Sequence, residues 1–441
     1  MAYEGHRSDM SDDAAAASGT VRSAPVHGSA ARAVAAVWRI ESARIVGTLS
    51  RLVGDFSLAE DLAQEALVDA LRQWPVEGVP RTPAAWLTAV AKRKAVDSWR
   101  RRERLDDRIS VIAHDLEREQ AEAPDAPWDP DAVDDDVLRL IFISCHPVLS
   151  REAQVALTLR VVGGLSSEEI ARAFLVPTAT VQQRIVRAKK TLAAAHVPFE
   201  LPPREEHAAR LGAILGVLYL IFNEGHAASS GSDWMRPELS EEAIRLARVL
   251  VALVPGEPEA HGLLALMELT AARFPARTDA NGDPVLLADQ DRSRWDRSRI
   301  ARGRAALARA DTSGRGRAAY SLQAAIAECH AVAPSIDDTD WDRIVLLYEA
   351  LGRIAPSPVV ELNRAAAVAM ATGPASALRI IDQLDASGVL RGYHLLPATR
   401  GELLLRLGRE QEARSEFAVA AGLAGNDRER RLLEQKSRDT E

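Results

Sequence analysis

The stretch LSSEEIARAFLVPTATVQQRIVRAKKTL, residues 165–192, decides the fold of its part of the chain, because it contains two helical segments around a short turn. Ser166 and Glu169 have the spacing of a capping box, which marks the start of a helix. The second segment has an apolar face at helical spacing, formed by Val181, Ile185, Ala188 and Leu192. Its opposite face carries Gln183, Arg187 and Lys190, with Thr180 near the edge. This pattern predicts a helix-turn-helix whose second helix suits phosphates and base edges.

An earlier helical block is predicted at residues 30–104. Its central helix has an apolar face formed by Leu58, Leu62, Ala66, Leu67, Ala70 and Trp74. Asp61, Gln64 and Glu65 lie on the other side and form a net-acidic surface. Such a patch is either a surface that binds a partner or an ordinary solvated helix face.

The last helix of this block is predicted to start near Pro83 and to end in a strongly basic segment. This segment contains Lys92, Arg93, Asp97, Trp99, Arg100, Arg101 and Arg102. Trp99 among these cations suits stacking on an unpaired base, and packing against another helix is the alternative. Trp86 is interpreted as a core residue.

Charge is distributed unevenly along the 441 residues, whose net charge is −8. Arg81 to Arg104 contains eight basic and two acidic side chains, and Thr178 to Ala194 contains four basic and no acidic ones. Between these basic blocks, Asp106 to Asp136 contains twelve acidic and two basic side chains. Such asymmetry concerns binding partners, and it favours nucleic acid for the two basic blocks.

Composition excludes several protein classes. Aromatic residues make up 5% of the chain, and abundant alanine and leucine favour helices over strands. Two isolated cysteines, Cys145 and Cys329, disfavour disulfide scaffolds and zinc fingers, and no metal site or cofactor is expected. The sequence has neither a signal-peptide pattern nor a membrane-spanning apolar run, so a cytoplasmic protein is expected.

The whole chain is predicted to be all-α. The expected parts are a disordered arm (1–29), the first helical block (30–104), an acidic linker (105–135), the helix-turn-helix block (136–197) and a helical extension (203–441). The linker contains APDAPWDP, whose prolines disfavour a long helix. In the extension, Leu211–Phe222 is predicted to be a buried helix. Trp341–Gly373 and His394–Gly422 are predicted to form helical hairpins of tetratricopeptide-like (TPR-like) type.

Residues 30–195 resemble an extracytoplasmic-function (ECF) sigma factor of the sigma-70 class. Three blocks carry the resemblance in the family's order: AEDLAQE at 59–65 with Trp74, AWLTAVA at 85–91 leading to Arg100–Arg102, and TVQQRIVRA at 180–188. The resemblance implies that Asp61, Gln64 and Glu65 bind the β′ coiled coil of core RNA polymerase. It also implies that the β flap of core RNA polymerase is a binding partner.

The same resemblance assigns DNA-binding roles. The strongly basic segment at the end of the first block would melt and capture the promoter −10 element. The −35 element would be read by Thr178, Thr180, Gln183, Arg184, Arg187 and Lys190. Where many ECF factors have a serine cap, this chain has Pro177, so Thr178 is expected to cap the recognition helix.

The extension resembles that of the ECF subgroup with a C-terminal TPR-like domain. Its marks are LYLIFNEGH at 218–226, DQDRSRWD at 289–296 and PSPVVELNR at 356–364. The subgroup implies regulation by the chain's own C-terminus and, as a candidate partner, a small DGPF/YCII-type protein. The candidate regulatory residues are Asn223, Glu224, His226, Asp291, Arg292 and Trp295.

Two other functions stay open at this point. The chain would be a helix-turn-helix regulator if its repeats recruit a protein and it never uses core polymerase. It would be an enzyme if Glu224 and His226 were catalytic, although no HExxH, GxSxG or phosphate-loop motif is present. The acidic linker is either a solvated tether or a segment that threads a basic channel of the polymerase.

Overall fold

A computed structural model describes residues 26–103, 130–174, 176–227, 234–280, 282–312, 314 and 316–439. These residues form eighteen α-helices and no β-strand, which confirms the all-α prediction. The first block contains α1 (Val26–Val53), α2 (Phe56–Glu77) and α3 (Pro83–Glu103). The second block contains α4 (Pro130–Ser144), α5 (Arg151–Val161), α6 (Ser167–Phe174) and α7 (Thr178–Ala194).

The C-terminal extension contains the remaining eleven of these helices. They are α8 (His207–His226), α9 (Pro237–Leu253), α10 (Pro258–Ala271), α11 (Arg297–Asp311), α12 (Ala319–Val332), α13 (Trp341–Ile354), α14 (Pro358–Ala371), α15 (Pro374–Ser387), α16 (Leu395–Arg406), α17 (Glu410–Leu423) and α18 (Asp427–Asp439). Both predicted hairpins form, as α13–α14 and α16–α17. The turn between α16 and α17 places Gly408 at a φ of 73°, which favours glycine.

Helix boundaries differ in places from those the sequence predicts. Helix α1 begins at Val26, within the predicted arm, and α4 begins at Pro130, within the predicted linker. Residues 1–25 and 104–129, which hold most of the arm and linker, lie outside the described residues. The prolines that follow Trp74 predict the end of α2 there, yet the helix continues through Pro75 to Glu77, because a proline in the last turn removes only one backbone bond.

One continuous apolar core joins the two blocks and the start of the extension. Helix α1 packs against α2 and α3 of its own block and against α4 of the second block. On the other side, α8 packs against α4 and α5. The second block therefore lies between the first block and the extension. A separate apolar core holds α14–α18 together.

Helix α8 is long and apolar enough by composition to cross a membrane. Its side chains Leu218, Ile221 and Phe222 are buried in the joint core. The helix predicted for Leu211–Phe222 is thus present, but only part of its surface is buried, because Leu220 is 44% exposed.

Gly225 allows α8 and α9 to cross closely. A Cβ atom at this position would lie 2.4 Å from the Ser240 backbone nitrogen. We expect Gly225→Ala to lower the free energy of unfolding by about 1–3 kcal/mol, because the helices must separate. Gly212→Ala is the matched control in α8, since no atom lies within 4 Å of its Cβ position. Chemical denaturation measures both, and equal stabilities for the two variants would contradict the close crossing.

Candidate functional site

The acidic face of α2 is positioned by an N-cap and by the buried stripe beneath it. Asp55 caps the helix by accepting from the Leu58 backbone N–H. Asp61 and Glu65 are exposed on this face and Gln64 is half-buried. From α3, Lys94 Nζ lies 3.3 Å from Glu65 Oε2 and 2.9 Å from Asp69 Oδ2. The hydrogen bond to Asp69, which outweighs desolvation, raises the pKa of Lys94.

Next to this face lies Glu60, a buried carboxylate that the sequence pattern did not indicate. Its side chain accepts from Lys189 of α7 and lies 3.5 Å from Arg160 Nε of α5. The same Lys189 Nζ donates to Asp61 Oδ1 at 3.0 Å. Burial is the largest single influence on Lys189 and lowers its pKa, but Glu60 and Asp61 together raise it above the usual value. Lys189 is therefore a protonated link between α7 and the acidic face of α2.

Helix α7 has the two faces that the sequence predicts. Val181, Ile185, Ala188 and Leu192 are buried. On the other side Gln183, Arg187 and Lys190 are exposed, while Thr178, Thr180 and Arg184 are half-buried. The predicted capping box of α6 is also present, because Ser166 and Glu169 exchange side-chain-to-backbone hydrogen bonds of 2.8 and 3.1 Å.

The cap predicted for α7 is wrong. The helix begins at Thr178, so Pro177 is the N-cap, and no side chain caps the helix. Pro177 instead accepts through its carbonyl from the N–H of Thr180 at 2.9 Å. Proline cannot supply a side-chain acceptor, and Thr178 lies one residue too far along the chain to act as the cap.

Further polar contacts hold the two blocks together. Arg39 Nη2 lies 2.8 Å from Glu169 Oε1, and Arg51 Nε lies 3.0 Å from the buried Asp136. We name the following set the closed interface: Arg39, Arg51, Glu60 and Asp61 of the first block, with Asp136, Arg160, Glu169 and Lys189 of the second block. It brings the predicted polymerase-binding surface against the predicted promoter-reading helix.

The predicted −10 residues lie along α3. Lys92 is half-buried, and Arg93 and Asp97 are exposed. Trp99, Arg100, Arg101 and Arg102 belong to the helix, but their side chains lie outside the described part of the chain. Trp86 packs edge-on against Trp74, with ring centroids 5.6 Å apart, as expected for a core residue.

The predicted regulatory residues fall near one another in the extension. Asn223 is half-buried in the last turn of α8, and Glu224 pairs with Arg236. His226 is contacted by Arg277. Asp291 accepts from the Ser293 N–H, Arg292 donates to the carbonyls of His330 and Ala333, and Trp295 is buried. The sequence reasoning missed Arg236, Arg273 and Arg277, whose roles depend on contacts distant in sequence.

Three protein families match separate parts of the chain. Residues 39–105 match sigma-70 region 2, residues 139–192 match sigma-70 region 4, and residues 210–311 match a family of unknown function, DUF6596. An uncharacterised protein of Rhizobium meliloti is 46% identical over 395 residues, which cover 86% of this chain and 89% of that protein.

Two sigma factors match the first part of the chain. RNA polymerase sigma-H factor of Pseudomonas aeruginosa is 30% identical over 162 residues, which cover 35% of this chain and 81% of that protein. The probable ECF RNA polymerase sigma factor SigI of Mycobacterium tuberculosis is 27% identical over 172 residues, which cover 39% of this chain and 58% of that protein. No solved structure matches the chain.

Proposed function

Because the chain belongs to the ECF type of the sigma-70 family and is an alternative sigma factor, we propose a role for each of its surfaces in promoter-specific initiation. The family binds core RNA polymerase and promoter DNA. In the proposed arrangement, Asp61, Gln64 and Glu65 dock on the β′ coiled coil and the second block meets the β flap. The end of α3 melts the −10 element and α7 reads the −35 element. Core polymerase performs the covalent chemistry.

Charge and exposure support these assignments. Asp61 and Glu65 are exposed carboxylates on a helix whose other side is fixed in the core, so they complement a basic partner surface. Gln183 is an exposed amide on α7, suited to a base edge, while Arg187 and Lys190 suit the flanking phosphates. Phosphate contacts make the association with DNA weaken steeply as salt rises.

The observation that carries the proposal furthest is the bond between Lys189 and Asp61. It occupies, within the free chain, the carboxylate proposed to bind polymerase. The closed interface is therefore the free state of the sigma factor, and the polymerase surface competes with Lys189 for the acidic face of α2. Binding to core enzyme separates the two blocks, so that each reaches its own promoter element.

The extension is proposed to regulate this opening, because three hydrogen bonds from arginine side chains to backbone carbonyls join it to the second block. Arg236 donates to the Ala173 carbonyl of α6 at 2.7 Å, and Arg245 donates to Val162 at 3.4 Å. In the opposite direction, Arg151 of α5 donates to Ala213 of α8 at 3.4 Å. These bonds tie the second block to the extension, while the closed interface ties it to the first block. The small DGPF/YCII-type partner remains a prediction from the resemblance alone.

Transcription in vitro tests the proposed promoter contacts. With sigma-free core polymerase, the chain is expected to start transcripts from promoters that share a −35 and a −10 element. Arg187→Ala should weaken binding across all −35 sequences, because it removes a phosphate contact. Gln183→Ala should change the preference at one −35 position by about 1–3 kcal/mol.

Arg353→Ala removes the same charge from an exposed position of the extension and serves as the control. Transcription should be unchanged in this variant. DNA binding without any transcription by added core polymerase would favour the alternative, a helix-turn-helix regulator that acts through another protein.

A further inference from the structure

Two signature stretches of the extension meet around a group of basic side chains. At the end of α8, His226 receives hydrogen bonds from Arg277 on its ring and, at 2.8 Å, on its backbone carbonyl. In the second stretch, Trp295 contacts two guanidinium groups, with Arg273 at 5.7 Å and Arg292 at 4.7 Å from its ring centroid. We name His226, Arg273, Arg277, Arg292 and His330 the basic cluster.

The basic cluster is held by aromatic side chains. Arg277 is 7% exposed and lies with its guanidinium 5.3 Å from the ring centroid of Trp234. Phe274 contacts the His226 ring at 5.9 Å between centroids. Arg273 Nε donates to Gln290 Oε1 at 3.2 Å, which fixes the orientation of the guanidinium. These neighbours orient the cations, but they add no negative charge.

Within the described residues, no carboxylate forms an ion pair with Arg273, Arg277 or Arg292. Glu429 acts on Arg277 and Asp338 acts on Arg292, both from beyond ion-pair distance. The buried Glu268 nearby is different, because Arg248, Arg299 and Arg302 all contact it. A buried charge without a counter-charge is costly. Among the described residues, the buried Arg277 and the half-buried Arg273 and Arg292 therefore differ from buried carboxylates such as Glu60 and Glu268, which are paired.

Burial first, and then the neighbouring positive charges, lower the pKa values of the cluster. Burial, followed by the charge of Arg273, lowers the pKa of Arg277 to about 9. Burial and Arg292 lower the pKa of Arg273 to about 10. Burial, then Arg273 and Arg292, lower the pKa of His330 to about 4. A bound anion would relieve this repulsion.

Unsatisfied nitrogen atoms surround the same cations. Arg292 Nη2, Trp295 Nε1, Trp234 Nε1 and His330 Nδ1 are buried without a hydrogen-bond partner among the described residues. Nearly all buried polar groups in proteins have such a partner. A ligand with several acceptor oxygens could accept hydrogen bonds from these buried donors and could pair with the guanidinium groups that form no ion pair.

We propose that the basic cluster binds a small oxyanion, the carboxylate or phosphate group of a small molecule. Planar guanidinium forks bind both groups through paired hydrogen bonds. The rings of Trp234 and Phe274 would contact the apolar remainder of such a ligand. The site lies beside the Glu224–Arg236 pair, and Arg236 also reaches the second block through Ala173.

The competing explanation is that these arginines only hold helix ends. Arg277 donates to the last residue of α8, and Arg292 donates to the His330 and Ala333 carbonyls at the end of α12. Arg273 has no such carbonyl bond within the described part of the chain, so it separates the two explanations. Arg294, exposed in the same segment, provides a control of equal charge.

The test is binding to the full-length chain at constant ionic strength. Inorganic phosphate and acetate are titrated separately against chloride, by calorimetry and by thermal unfolding. We expect at least one of the two to bind saturably and to raise Tm in the wild type and in Arg294→Gln. Arg273→Gln should bind at least about 10-fold more weakly, and Arg273→Lys should be intermediate because it keeps the charge but loses the fork.

The two probes distinguish the ligand class, since a response to phosphate alone indicates a phosphorylated ligand and a response to acetate alone indicates a carboxylate. The absence of saturable binding to the wild type would overturn the proposal, even if Arg273→Gln fails to fold. Equal binding by all four proteins would overturn it as well.

Discussion

Replacing both Asp61 and Glu65 with lysine is expected to abolish binding to core RNA polymerase. The two carboxylates are exposed on the acidic face of α2, and the proposed partner surface is basic, so each substitution turns an attraction into a repulsion. We expect the apparent Kd to rise by at least about 100-fold, because close charge pairs across interfaces couple strongly. Fluorescence anisotropy of the labelled chain against sigma-free core enzyme measures the change.

This double variant also removes the bond between Lys189 and Asp61, so it weakens the closed interface at the same time. Loss of polymerase binding in a chain that opens more easily would show that the acidic face itself makes the contact. Asp385→Lys with Glu434→Lys is the matched control, because it makes the same charge change at exposed positions of the extension. If the Asp61 and Glu65 double variant bound core polymerase as tightly as the wild type, α2 would not be the docking surface.

Replacing Lys189 with methionine is expected to have the opposite effect and to tighten binding to core polymerase. The substitution keeps an apolar stem but removes the cation that neutralises Glu60 and Asp61 in the closed interface. Glu60 would stay buried in the closed state with Arg160 as its remaining partner, whereas opening lets water reach it. A smaller closed population lowers the apparent Kd, and we expect about 10-fold or more.

Lys190→Met is the control for Lys189→Met, since it removes one charge from an exposed position of the same helix.

Gly47→Leu tests the separation of the two blocks at a different contact. A Cβ atom at Gly47 would lie 3.0 Å from the Asp136 carbonyl oxygen, so a larger side chain should push α1 away from α4. Small-angle scattering should show a larger radius of gyration for Lys189→Met and Gly47→Leu. Unchanged size and affinity in both, with the fold intact, would contradict a closed free state.

Features set by local sequence were predictable. The capping box of Ser166 and Glu169 and the buried stripe of α2 each depend on residues a few positions apart. The helical periodicity therefore predicted the faces of α2 and α7 correctly. The cap of α7 was wrong because Pro177 moves the helix start by one residue relative to the expected threonine cap.

Features set by distant contacts were not predictable from the pattern. Glu60 lies beside the exposed Asp61 and reads as a surface residue, yet it is buried because α5 and α7 bring Arg160 and Lys189 against it. The basic cluster has the same origin, since Arg273 and Arg277 look like ordinary arginines until the fold places Arg277 beside His226 and Arg273 beside Trp295. Long-range packing determines which charges are paired, and a single sequence does not reveal that packing.

The most direct measurement mixes the purified full-length chain with sigma-free core RNA polymerase and follows both by gel filtration at low and moderate ionic strength. A sigma factor that exchanges its internal Lys189 contact for the polymerase surface should elute with the core enzyme. Well-folded protein that elutes entirely apart from core enzyme, even at low ionic strength, would contradict the account.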